Sequence, residues 1–210
     1  AAVSATAQGI SFTPVVFNEV LPSVNLQAIG RHNMLNALAA LAAACGAGLP
    51  PTAAAEALGK FEGVQRRFEF IGQVNGYLVV DDYAHHPTEI RAMLQAAREH
   101  FDSRIVAVFQ PHLYSRTEYL MEGFAQSFDQ ADVVGITEIY AAREQPRNDV
   151  NARQLYERIR ARQPDKQVAY LPNMDEVVAF LRDNATSKDL VITIGAGDIR
   201  RAAEQLVATV

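Results

Sequence analysis

From residue 66 onward, short apolar runs alternate with longer amphipathic stretches. The runs at 68–74, 77–82, 104–110, 132–139, 167–171 and 189–194 are rich in Val, Ile, Leu, Phe and Tyr and have the length of strands. Between and after them, 87–101, 116–130, 151–163, 174–185 and 198–208 carry apolar residues at helical spacing. Ile90, Met93, Leu94, Ala97 and Phe101 share one face of the first of these helices. Strands alternating with helices of this length predict βαβ units, hence an α/β fold with a mostly parallel six-stranded sheet and helices on both faces. The first two strands lie too close for a crossover helix, so they are expected to pair as an antiparallel hairpin across Asn75-Gly76.

Residues before 66 read differently. Two β-like runs, 9–17 and 23–29, show partial period-two alternation, and Pro14 marks the first as an edge or bulged strand. Gly30 ends the pattern. An alanine-rich helix follows over 31–45, with Leu35, Leu38 and Ala42 on one stripe and Gly46 and Gly48 closing it. Pro51-Thr52 opens a second short helix to about Lys60. Residues 61–65 have the composition of a linker. The expected division is therefore a domain over 1–64 and another over 65–210.

The polar residues are concentrated at the predicted strand-to-helix turns. Asp81-Asp82-Tyr83-Ala84-His85-His86-Pro87-Thr88-Glu89 places two carboxylates, a phenol and two imidazoles where a buried strand runs into a helix. In open parallel sheets, ligands bind beside the carboxyl ends of strands and face helix N-termini. Pro87 suits the first helical position, and Asp81 or His86 is also a candidate helix cap. A second such turn is Phe109-Gln110-Pro111-His112-Leu113-Tyr114-Ser115-Arg116-Thr117. Ser115 or Thr117 is expected to cap its helix. Arg116 then stands where the helix dipole disfavours a cation, which suggests a second task such as holding a small carboxylate.

Three further features are ambiguous. Asn33 and Asn36, with His32 just before, share a helix face; they present amides to a purine edge or serve as a cap and a solvated side chain. Arg66-Arg67 is a bidentate phosphate clamp or an ordinary surface pair. Ile194-Gly195-Ala196-Gly197-Asp198 fails as a dinucleotide loop because Arg200 occupies the third glycine position, and reads as a tight turn into a helix.

Composition narrows the function classes. Of the 210 residues, 49% are hydrophobic and 20% charged, with a net charge of −5, so nothing calls for nucleic acid or an anionic membrane surface as partner. No apolar run is long enough to span a membrane. The one cysteine, Cys45, forms no internal disulfide and fits a reducing, cytoplasmic setting. Asp82, His85 and His86 match no standard zinc spacing, so no protein metal site is expected. The chain begins at Ala1 and has no signal sequence, and it reads as a piece of something longer.

Five stretches occur in order: Gly-Arg-His-Asn-Met-Leu-Asn-Ala at 30–37, Arg-Arg-Phe-Glu at 66–69, the 81–89 motif, the 109–117 motif and Gly-Ala-Gly-Asp at 195–198. Together they resemble the C-terminal half of the Mur ligases of bacterial peptidoglycan synthesis, over nearly the whole chain from about Gly9. The paired histidines and the Gln-Pro-His turn favour the branch that adds L-alanine. That resemblance implies that 1–64 is the C-terminal part of an ATP-binding domain and 65–210 a Rossmann-like amino-acid-binding domain. It implies that His32, Asn33 and Asn36 approach adenine, Arg67 contacts the ATP phosphates, and Asp82 holds the ribose or helps orient the nucleotide. Tyr83, His85, His112 and Arg116 would line the alanine pocket, with Asp82 and His85 taking part in catalysis.

The implied reaction uses magnesium-ATP to phosphorylate the carboxylate of UDP-N-acetylmuramate, after which the alanine amine attacks the acyl phosphate. Leu113 stands where the family often has arginine, leaving Arg116 without a second clamp. No Gly-Lys-Thr or Gly-Lys-Ser phosphate loop is present, so this chain is expected to be inactive without an N-terminal half. The alternatives are a fragment of the ligase that recycles tripeptide onto the same sugar, and a non-catalytic nucleotide-binding or interaction module.

Overall fold

The computed structural model describes residues 3–6 and 9–208. They divide into two compact units, Ala1–Val64 with Gln95–His100 and Gln65–Leu94 with Phe101–Val210.

The first unit carries β1 (Val3–Thr6), β2 (Gly9–Phe12), β3 (Val15–Val16), β4 (Glu19–Val20) and β5 (Val24–Leu26), then α1 (Arg31–Gly46) and α2 (Pro51–Gly59). Strands β1, β2 and β5 form an antiparallel sheet in that order, and β3 and β4 form a separate hairpin. The run at 9–17 is thus two strands parted at Thr13-Pro14, where proline supplies no ladder N–H. The buried stripe of α1 is Met34, Ala37 and Leu41, while Leu35 is 53% exposed. The expected stripe of Leu35, Leu38 and Ala42 is therefore corrected. A helix that is alanine or leucine nearly all round has no periodicity from which to choose a face, and the packing of Ile10, Phe12 and Leu26 chooses it instead.

The second unit is β6 (Glu69–Val74), β7 (Tyr77–Asp82), α3 (Pro87–His100), β8 (Ile105–Phe109), α4 (Tyr114–Tyr119), α5 (Met121–Ala125), β9 (Val133–Thr137), α6 (Ala152–Arg162), β10 (Gln167–Leu171), α7 (Met174–Asn184), β11 (Leu190–Ile194) and α8 (Arg200–Ala208). Its six strands run in the order β10-β9-β8-β11-β7-β6, all neighbours parallel except β6 against β7. The hairpin turn has positive φ at both Asn75 (47°) and Gly76 (89°), the geometry that Asn-Gly favours. Every residue of β8, β9 and β11 is buried, as expected for central parallel strands covered on both faces. Val106, Val108 and Val191 face α7 and α8. Alternation along β8 puts Phe109 on the other face, where it lies against Phe124 and Phe128 at ring distances of 5.2 and 5.6 Å.

One expected helix differs. The stretch 116–130 starts earlier, at Tyr114, and is broken at Leu120, which leaves helical geometry at φ −107° and ψ 13°. The first segment buries Thr117, and the second buries Met121, Phe124 and Ala125.

Candidate functional site

The ends of β7, β8 and β9 bring four rings into one row. Tyr83 meets His85 edge-on at 5.3 Å, His85 lies 6.3 Å from His112, and His112 stacks on Tyr140 at 5.6 Å. Three of these are residues that the sequence singles out. Tyr140 is not, because its run after β9 carries no motif. Its place is fixed by backbone pairing: Tyr140 N–H donates to Pro111 O, and Leu113 N–H donates to Tyr140 O.

The turn from β7 to α3 is organised by its own side chains. Glu89 accepts the N–H groups of His85 (2.9 Å) and His86 (3.2 Å), while Thr88 N–H donates to His86 Nδ1. This reciprocal pattern is that of a capping box, with Pro87 at the first helical position. His86 is therefore the helix cap, as the sequence allowed. Asp81 is not a cap: it is fully buried and accepts from Arg66 Nε (2.9 Å) and Thr193 Oγ1 (2.8 Å). His85 Nδ1 lies 2.9 Å from Tyr83 O. A carbonyl can only accept, so Nδ1 carries the proton and Nε2 remains as an acceptor.

Asp82 is 5% exposed, and its two oxygens accept the N–H groups of Ala84 and Phe68, each at 2.8 Å. Burial pushes its carboxyl up to about 6, against the pull of those two donors. The carboxylate thus organises the turn around it. Arg66 is also no ordinary surface charge. Besides Asp81, it donates to Gly197 O (3.1 Å) and Gly195 O (2.7 Å) and lies 5.0 Å over the Tyr83 ring. Arg67 is exposed, with only a long 3.8 Å pair to Glu89 and a 5.9 Å approach to Tyr83.

At the β8–α4 turn, Leu113 precedes the helix with φ 71° and no side-chain cap. Neither Ser115 nor Thr117 caps it. Thr117 Oγ1 donates back to Leu113 O, and the helix start is capped from outside by Glu144, which accepts Ser115 N–H at 3.1 Å and also its hydroxyl. Leu113 is 5% exposed, so its side chain belongs to the core and the position offers no open place for a guanidinium. Beside it, Arg116 Nη1 and His112 Nδ1 are buried with no hydrogen-bond partner. Burial, and next the charge of Arg116, holds the His112 imidazole below its ordinary value and therefore neutral. A buried guanidinium N–H and a buried imidazole nitrogen without partners form a pair that a small carboxylate or carboxylic group can satisfy.

The glycine-rich turn is tight for a physical reason. A Cβ on Gly195, at φ 147°, would stand 2.7 Å from Gln110 O, and one on Gly197 would stand 2.6 Å from Tyr140 Cγ. Gln110 spans the turn, donating to Asp198 Oδ1 (2.8 Å) and accepting Ile199 N–H (3.2 Å). Tyr140 and Glu144 are residues that sequence reasoning missed, and for Gln110 and Arg66, which it named, it did not reach the structural roles. The Gln-Pro-His motif carried a signal for Gln110; the others act through contacts distant in sequence.

In the first unit, Asn33 Nδ2 donates to Ile29 O at 2.9 Å, which engages its amide at the helix start, and Asn36 is exposed on α1. His32 lies in the first turn of that helix. Among the described residues no group of three or more His, Cys, Asp or Glu side chains is placed to hold a metal ion. No helix among them is long and apolar enough to cross a membrane. A shallow polar depression of about 550 Å³ around Asp129, Asp132, Arg162 and Lys166 lies at the amino ends of β9 and β10, away from the row of rings.

The chain is similar to known proteins in sequence and fold. Residues 66–197 match the family described as Mur ligase, glutamate ligase domain. A UDP-N-acetylmuramate–L-alanine ligase of Desulforamulus reducens is 45% identical over 203 residues, 96% of this chain and 44% of that relative. The crystal structure of a UDP-N-acetylmuramate–alanine ligase from Thermotoga maritima matches with a TM-score of 0.80 at 28% identity, over 99% of this chain and 44% of that one. A murein peptide ligase from Psychrobacter arcticus matches at 0.70 and 29%, over 99% and 43%. The chain thus spans less than half the length of these relatives.

Proposed function

The chain belongs to the Mur ligase family, and on that premise we propose that it is the C-terminal portion of a ligase joining L-alanine to UDP-N-acetylmuramate with consumption of ATP. In this reading 1–64 is the end of the ATP-binding domain and 65–210 the amino-acid-binding domain. The observation that carries it is the unpartnered pair at the β8–α4 turn, Arg116 Nη1 and His112 Nδ1. An amino-acid carboxylate satisfies both atoms if it accepts from the guanidinium and from the protonated nitrogen of the neutral imidazole. The likeness at 45% identity to an alanine-adding ligase supports this branch over the tripeptide-recycling one.

The likeness to the Mur ligases supplies the chemistry of this reading. ATP transfers its terminal phosphoryl group to the muramyl carboxylate, giving an acyl phosphate and ADP. The alanine nitrogen then attacks the acyl carbon, the C–O bond to phosphate breaks, and the amine sheds a proton. His85 Nε2, left as an acceptor by the Nδ1 bond to Tyr83 O, receives that proton. Tyr83 and His112 wall the pocket, and Arg67, exposed and weakly paired, offers its guanidinium to the ATP phosphates. Asp82 contributes by holding Phe68 and Ala84, and so the turn that carries Tyr83 and His85. His32, Asn33 and Asn36 lie toward adenine in the same reading. Magnesium travels with the phosphates of ATP and neutralises their charge.

Arg116→Ala in the full-length ligase tests the proposal. Loss of a charge-assisted hydrogen bond of roughly 1.5–3 kcal/mol raises KM for L-alanine about tenfold to a hundredfold, with KM for ATP little changed. Equal changes in both constants would assign Arg116 a structural role only.

A further inference from the structure

We infer that Arg66 is a positioning residue whose task is to hold its neighbour Arg67, together with Tyr83, in the geometry needed for nucleotide phosphate; this rests on the reading of Arg67 given above. Three observations carry it.

First, Arg66 is committed on every side. Its Nε donates to Asp81 on β7 (2.9 Å), its Nη1 and Nη2 to the carbonyls of Gly197 and Gly195 after β11 (3.1 and 2.7 Å). Its own N–H donates to Glu69 (2.6 Å), and its carbonyl accepts Tyr83 N–H (2.6 Å). A planar guanidinium spreads its donors over three nitrogens in a fixed fork, a reach that the compact ammonium of lysine does not reproduce. Three of its five N–H donors, one on each nitrogen, are engaged inside the domain.

Second, the backbone around Arg67 is held in an unfavourable conformation. Arg66 and Phe68, the residues on either side, have φ of 59° and 50°. Left-handed geometry at two bulky side chains persists only where the surroundings over-determine it. They do here: Arg66 is fixed to Asp81, and Phe68 N–H is fixed to Asp82. The two adjacent buried aspartates act as a clasp on 66–68, and Asp81 is itself steadied by Thr193 Oγ1 at 2.8 Å.

Third, the clasp leaves its neighbour loosely held. Arg67 has a long 3.8 Å pair to Glu89 and 47% of its side chain exposed, while Arg66 beside it is 20% exposed. Both guanidinium groups lie within 6 Å of the Tyr83 ring, at 5.0 and 5.9 Å, so the ring is their common support. Five anchoring contacts on the neighbour of a loosely paired cation make sense if the placement of that cation matters.

The test is a double-mutant cycle in the full-length ligase with Arg66→Lys, Arg67→Ala and the pair. Lysine keeps a cation for Asp81, so the buried carboxylate stays paired and the domain folds, but the fork to the two glycine carbonyls is lost. We expect Arg66→Lys to raise KM for ATP roughly fivefold to tenfold, with a smaller rise in KM for L-alanine through Tyr83. In the Arg67→Ala background it should have no further effect, since coupled residues are non-additive. An unchanged KM for ATP in Arg66→Lys, or an effect that simply adds to that of Arg67→Ala, would overturn the inference while leaving the role of Arg67 intact. If Arg67→Ala itself leaves KM for ATP unchanged, the reading of Arg67 fails and takes the inference with it. Thermal midpoints of all four proteins within a few degrees separate positioning from loss of folded enzyme.

Discussion

Asp82→Asn separates two forces that act on one buried carboxylate. Burial pushes the Asp82 pKa from 3.8 up to about 6. At about 1.36 kcal/mol per pK unit, the ionised form carries a penalty of roughly 3 kcal/mol at neutral pH. Because the folded pKa lies above the unfolded one, the folded state holds the proton more tightly. The stabilisation from that proton is complete below the unfolded value of 3.8 and is lost as the pH rises through 6. Linkage between those two values gives roughly 1 kcal/mol of added stability on going from pH 7 to pH 5.

Asparagine cannot ionise, so it escapes the burial penalty, but it brings a cost of its own. The carboxylate accepts two backbone N–H groups, from Phe68 and Ala84. An amide has one accepting oxygen, so one N–H is left facing an NH2 group at roughly 1–3 kcal/mol. The two changes nearly cancel at pH 7. The expected outcome is a variant close to wild type in stability at pH 7 and less stable by roughly 1 kcal/mol relative to wild type at pH 5. The chain has no tryptophan, so urea titrations followed by far-ultraviolet circular dichroism at the two pH values are the natural assay. A stability difference between the proteins that stays constant from pH 7 to pH 5 would refute the argument that desolvation dominates this carboxylate. A loss of several kcal/mol at pH 7 would show that the two hydrogen bonds outweigh it.

Gly197→Ala should cost about 1–3 kcal/mol, measured by the same titrations, because its Cβ meets Tyr140 Cγ at 2.6 Å and also the Gln110 amide oxygen; a neutral result would mean that Tyr140 moves freely. This 210-residue chain by itself should bind magnesium-ATP no more tightly than about millimolar, a total of roughly 4 kcal/mol, since it has no phosphate loop. Calorimetry checks this, and micromolar binding would overturn it.

The strands and helices of 66–210 were legible because each carries its own periodicity, and the family because five motifs stand in order. Burial could not be read from α1, where leucine and alanine surround the axis and either stripe satisfies a helix; Ile10, Phe12 and Leu26 chose Met34, Ala37 and Leu41. The roles of individual polar residues were legible only where partners are close in the chain. His86, Pro87 and Glu89 make their cap within one turn, so local reasoning reached it. The β8–α4 helix takes its cap from Glu144, 29 positions beyond Ser115, and no local rule points there.

By itself the sequence determined the alternation of strand and helix, the hairpin at Asn75-Gly76 and the turns where chemistry gathers, since backbone preference and side-chain period act over a few residues. Only the tertiary structure decided which of two adjacent arginines is held by several hydrogen bonds and which is loosely paired and exposed. Arg66 finds Gly195 and Gly197 some 130 residues away because β11 lies beside β7, and hydrogen bonding depends on distance in space, which chain order does not record.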